Sequence, residues 1–240
     1  MEKGYIMEAV LVAAGMLLLL LYHVRLLYLL RYSPTSTIIG VNQINRQVWV
    51  RTMMADGLKN GVLAVQTLRN NIMASTLLAT AAILLCSVLA VLVNNDGSSN
   101  SLQQRSMFLG GSKNITLSTK LLCVLICFIV AFLCNVQSVR YYSHVSFLIN
   151  IPLGACTPGL APDYVNESMV RAGQFWSIGL RAFYFSIPLF LWFFGPIPMF
   201  VTSVIMATLF HFLDTAKGFQ QTVSIASPQD VESGEGMTRS

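Results

Sequence analysis

Few residues in this chain are of types that do chemistry, and most of those are scattered. The three histidines, His23, His144 and His211, lie far apart. A membrane metalloenzyme needs ligands at repeated helical spacing, and these residues have none. Cys123, Cys127 and Cys134 are better arranged. At 100° per residue they fall within about 40° of one another, so they share one helix face. Such a stripe suits soft-metal or redox chemistry. Its more ordinary role is a small-residue face that lets helices approach closely. There is no Cys-x-x-Cys pair, Gly-rich phosphate loop, His-Glu-x-x-His pair or Gly-x-Ser-x-Gly elbow. The expectation is a protein that is not an enzyme, with no catalytic, metal or cofactor-binding residue.

Ionisable groups beside apolar runs are the next candidates, because they are costly in a membrane unless partnered. They are Glu8, Arg25, Arg69, Arg140, Arg171 and Arg181. Arg69, Asn70 and Asn71 read as a polar cap on the second apolar run. Glu167 and Arg171 are four apart, the spacing of a helical ion pair. The competing role of such arginines is to reach the interface and hold helix ends in place. No acidic residue lies deep in an apolar run, which weighs against a proton-coupled carrier.

The elements that carry these residues follow from composition. Of 240 residues, 55% are hydrophobic and 10% charged, with a mean hydropathy of +0.64. A soluble domain has about 25% charged residues, so this chain cannot cover a water-facing surface. Uncharged stretches run from Ala9 to Val24, Asn70 to Asn95, Leu121 to Val139 and Ala182 to Leu213. Roughly 20 apolar residues cross a bilayer as a helix, and backbone groups in lipid must be paired internally. Five consecutive leucines, Leu17 to Leu21, exclude the alternation of a β-barrel strand. The fold class is therefore all-α, a polytopic transmembrane helical bundle of four to five spans with cytosolic loop helices. One domain, 1–217, has spans near 6–31, 70–94, 119–140, 178–194 and 197–213. A disordered tail covers 218–240, rich in Ser, Gly, Glu and Asp. The first run reads as a signal-anchor helix ending at Ser33-Pro34, not a cleaved leader.

Gly195-Pro196-Ile197-Pro198 interrupts the fourth run. Two prolines remove two donors, so this run is either one kinked span or, preferably, a hairpin of two short helices. Arg25, Arg31, Arg46, Arg51, Lys59 and Arg69, against Asp56 alone, place the segment between the first two spans in the cytosol. The next loop then faces outward. It holds Asn114-Ile115-Thr116, a candidate glycosylation site near the third span. A second acceptor, Asn166-Glu167-Ser168, falls on the cytosolic side and is expected to be unused. Asn42 to Gln66 reads as a helix with Ile44, Val48, Ala55, Leu58, Val62 and Val65 along one line, and Trp49, Val50 and Met53 on the far side. Pro162-Asp163 should open a further helix.

Gly40-Val41-Asn42, Arg46-Gln47-Val48-Trp49-Val50, Gln66 to Thr76 and Arg181 to Pro196 resemble domain-of-unknown-function family 599, a plant membrane-protein family with bacterial relatives. The resemblance extends from the first span to about Lys217. It implies an all-helical membrane protein of plant origin and carries no activity or ligand. Two functions stay open. One is a non-catalytic membrane adaptor or accessory protein, its basic cytosolic loops meeting anionic lipid or a partner. The other is a channel or carrier for a small solute or ion, acting as a homo-oligomer, with Gly195-Pro196 as its interrupted helix. The modest net charge of +5 sits between apolar runs, so the bilayer and not nucleic acid is the expected partner. The expected location is the plasma membrane or another secretory-pathway membrane. Low-ranked functional positions are Arg69, Asn70, Asn71, Arg171, Arg181, Gly195 and Pro196.

Overall fold

In a computed structural model, which describes residues 2–95, 117–151 and 162–215, the chain is all-helical. Asn114, the loop around it and the 218–240 tail lie outside the described residues. Helix α1 spans Glu2–Tyr32 and stops before Ser33-Pro34. A 3-10 turn, Pro34–Ser36, leads into α2, Ile38–Ala55, whose amino end is capped by Thr37 Oγ1 accepting from the Gly40 N–H at 3.2 Å. Helix α3 covers Gly57–Asn95, α4 Leu117–Leu148, α5 Pro162–Leu191 and α6 Pro196–Asp214. Among the described residues, four helices are long and apolar enough to cross a bilayer, over Ile6–Tyr32, Lys59–Val91, Thr119–Leu148 and Pro196–Asp214. Their outward faces are apolar (Leu17 and Leu20 on α1, Leu77 and Leu84 on α3), as lipid contact demands. The chain is a multi-pass membrane protein.

Helix α3 has 39 residues, about 58 Å of helix against about 30 Å of hydrocarbon. It must project from the bilayer. Where it does so, its first turns meet α2, the last turns of α4 and the first half of α5. Val50, Met54, Leu68, Tyr142, Val145 and Val165 form an apolar core in this head, all buried. A second core lies at the other end of α4, around Val124, Phe128, Leu189, Trp192 and Met199. Helices α1 and α6 run side by side in the same direction: Gly15 lies against Ser203, and Leu19 packs with Met206 and Phe210.

The α2 region differs from its sequence pattern. The helix breaks at Asp56, with φ −135° and ψ 75°, and Asp56 Oδ1 caps the new helix at the Lys59 N–H. A break resets the helical phase, so residues on its two sides cannot share one line. Val48 and Val62 are 60% and 80% exposed, while Val50 and Met54 are buried. Arg69, Asn70 and Asn71 lie within uninterrupted helix and cap nothing.

Candidate functional site

Charged side chains gather at three levels. At the Gly195 end, Lys120 in the first turn of α4 points into the bundle. Its Nζ lies 3.3 Å from Glu8 Oε1 and 3.3 Å from the Trp192 carbonyl oxygen, and 5.0 Å from the centre of the Trp192 ring. Glu8 is 0% and Lys120 4% exposed. A buried pair of this kind requires both charges and further donors or acceptors to offset lost hydration. Trp192 also accepts from the Gly195 N–H at 3.2 Å. The link from α5 to α6 is thus fastened to α1 and α4. Gly195 has φ 142° and ψ 173°, which only glycine adopts without strain. Pro196 follows as the first residue of α6, where its missing N–H costs nothing.

At the opposite end of α6, Arg181 Nη2 donates to both carboxylate oxygens of Asp214, at 2.6 and 2.7 Å. The Tyr22 hydroxyl donates to the same carboxylate at 2.5 Å. The guanidinium lies 5.4 Å from the Phe210 ring centre, an attractive cation–π contact. Helices α1, α5 and α6 are therefore joined by one carboxylate. An antiparallel bridge between Thr37 and Thr215 ties the same level to the α1–α2 link.

Between these levels a polar seam joins α3, α4 and α5. Ser138 Oγ donates to the Ala172 carbonyl at 3.0 Å, so in the 3.3 Å contact with Ser75 the Ser75 hydroxyl is the donor. Asn135 Nδ2 donates to the Ala131 carbonyl at 2.8 Å. A Cβ on Gly179 would come within 2.6 Å of Asn135 Nδ2. Hydrogen bonds and small residues of this kind hold helices together in lipid.

In the head, Arg46 is not a free basic residue. It donates to the Tyr142 hydroxyl at 2.9 Å and fills the space a Cβ on Gly173 would need. Arg51 and Asp163 pair at the surface at 3.1 Å. Glu167 and Arg171 pair along α5 at 2.5 Å. The Tyr141 hydroxyl, then Glu167, raise the Arg171 pKa further above its ordinary value.

Sequence reasoning named Glu8, Arg181, Gly195 and Pro196 without bringing them together. Glu8, Gly195 and Pro196 fall at one end, and Arg181 lies at the other. It missed Lys120, Asp214 and the Asn135–Ser138 seam. The i, i+3 spacing of Asn135 and Ser138 inside an apolar run was the available signal for the seam. Arg69 and Asn70 are exposed on α3. Cys123 and Cys127 share an apolar cluster with Cys86, and no described group of His, Cys, Asp or Glu is arranged for a metal. Asn166 is buried on α5.

Comparison with known proteins adds one match. The family model described as "Protein of unknown function, DUF599" matches residues 10–219. No curated protein and no solved structure matches the chain.

Proposed function

The chain belongs to the DUF599 family, and we propose that it acts as a non-catalytic membrane adaptor whose basic head binds a partner or anionic lipid at the cytosolic surface. The observation that carries this reading is the head itself. Four helix segments share an apolar core at the head end of the bundle, and Arg51, Lys59, Arg69 and Arg140 stand exposed around it. A solvated, rigid, basic surface held to a bilayer suits docking. Each exposed basic residue near an anionic leaflet contributes roughly 1 kcal/mol of attraction. The excess of basic residues supports a cytosolic side for the head, and the plasma membrane or another secretory-pathway membrane is the location proposed with it.

A second reading, a channel or carrier acting as a homo-oligomer, draws on the interrupted α5–α6 link at Gly195. One pair of experiments separates the two. Cross-linking in native membranes should recover partners with the wild type and lose them with Arg51→Glu combined with Lys59→Glu. Proteoliposomes should leak ions and small solutes no faster than empty liposomes. Partners unchanged by the charge reversals would reject the adaptor. Flux abolished by Gly195→Ala in folded protein would favour the carrier.

A further inference from the structure

A cleft of about 770 Å³ separates α1 from the facing sides of α4 and α5, within the size range of roughly 300–1,000 Å³ typical of ligand sites. It lies between two helix pairs, α1 packed on α6 and α4 packed on α5. Its walls are apolar, with Leu26 and Leu30 on α1, Ile126 and Val130 on α4, and Ile178 and Phe185 on α5. Ile126 and Ile178 are about half exposed although they sit in apolar surroundings, so the cleft opens sideways to lipid.

Polarity changes along its length. Phe185 and Ile126 line the end toward Trp192. Gln174, eleven residues before Phe185, lies about 16 Å nearer the head. There the lining is Arg31, Gln43 and Gln174. No hydrogen bond or ion pair joins these three side chains to another described residue. Arg46 lines a small adjoining cavity together with Gln43 and Gln174. Neither cavity has a carboxylate in its lining, and Asp214 already neutralises Arg181. The mouth at the head is therefore cationic and rich in donors, while the depth is mainly apolar, with His23 beside Phe185 as its polar exception.

We propose that the cleft holds one acyl chain of an anionic phospholipid, with the headgroup phosphate among Arg31, Gln43 and Gln174. The polarity gradient matches a lipid of the leaflet on the basic side in both direction and sign. Moving a chain from bilayer into an apolar cleft gains little, because lipid tails are as apolar as leucine. Preference for one lipid must come from its headgroup, which makes Arg31 the residue that decides it. The site does not depend on the adaptor reading: partner capture unchanged by the charge reversals at Arg51 and Lys59, while lipid labelling persists, would reject the adaptor alone.

The test uses the full chain in vesicles of choline-headgroup lipid. Trace phospholipid with a photoreactive acyl chain is added, bearing either a serine or a choline headgroup. The serine probe should label the segments around Val130 and Ile178 in preference to Leu77 and Leu84 on the lipid-facing side of α3. Arg31→Gln should reduce the preference for the serine probe about fivefold, equivalent to about 1 kcal/mol. Ile178→Trp should block labelling at Val130. Arg31 is exposed at a helix end, so its variant keeps the fold and decides the matter even where Ile178→Trp does not fold. Equal labelling by both probes, or equal labelling of α3 and the cleft, would each overturn the site.

Discussion

The Lys120 ammonium and the Glu8 carboxylate face each other at 3.3 Å with almost no exposure to solvent, joining the first turn of α4 to α1. A charge left alone in such a place is destabilising, whereas removing both can be neutral. Lys120→Met and Glu8→Gln should each lower stability by roughly 3–5 kcal/mol. The double variant Glu8→Leu with Lys120→Met should recover most of that loss. Thermal unfolding of purified protein, followed by circular dichroism, reads all three. Single variants as stable as wild type would show that water reaches the pair.

The Asp214 carboxylate holds Arg181 and Tyr22 together, but its side chain stays 13% exposed and that of Arg181 17%. Partial hydration softens the loss of either partner. Asp214→Asn should cost toward the lower end of roughly 3–5 kcal/mol, and Tyr22→Phe much less, since it removes one neutral donor. The same unfolding measurement checks the order. A larger loss for Tyr22→Phe than for Asp214→Asn would contradict the assignment of the ion pair as the main tie.

Gly195→Ala tests the link between α5 and α6. A Cβ at φ 142° is strained by roughly 1–3 kcal/mol. The variant should lower the unfolding temperature, while Pro196→Ala, at a first helical position that tolerates other residues, should change it little. Equal effects would mean that the link relaxes freely.

Much of the architecture was legible because lipid imposes it. Runs such as Leu17–Leu21 have no other stable form in a bilayer, and the break before Pro196 is written in Gly195 and two prolines. Partner choice was not legible. Lys120 and Glu8 are 112 residues apart, and only the register of α1 against α4 makes them meet. Asp214 read as the end of an apolar run until the packing of α6 placed it beside Arg181. The buried face of α2 was misread because nothing in composition announces that Asp56 stops one helix and caps the next. The cleft is a gap between helix pairs, and gaps leave no local pattern.

Gly179 lies where α5 crosses closest to Asn135, and a larger residue there must push the helices apart. Gly179→Leu should cost roughly 1–3 kcal/mol. Gly57→Ala is the control: a Cβ there meets nothing within 4 Å, so it should leave stability unchanged or slightly raised. Similar losses at both positions would mean that the α4–α5 contact is looser than the packing around Asn135 implies.

The side of the carboxyl terminus follows from the same contacts. The Thr37–Thr215 bridge and the Arg181–Asp214 pair place the end of α6 beside the α1–α2 link. That link lies within the basic segment from Arg25 to Arg69, which charge bias predicts to be cytosolic. A reporter fused after Ser240, active only in the cytosol, should therefore give signal, and one active only outside should not. The result corresponds to five crossings, with the apolar half of α5 rising to the Gly195 link and α6 returning. An outside signal would require α6 to end on the far side from Thr37, which the bridge forbids, and would reject the α5–α6 hairpin.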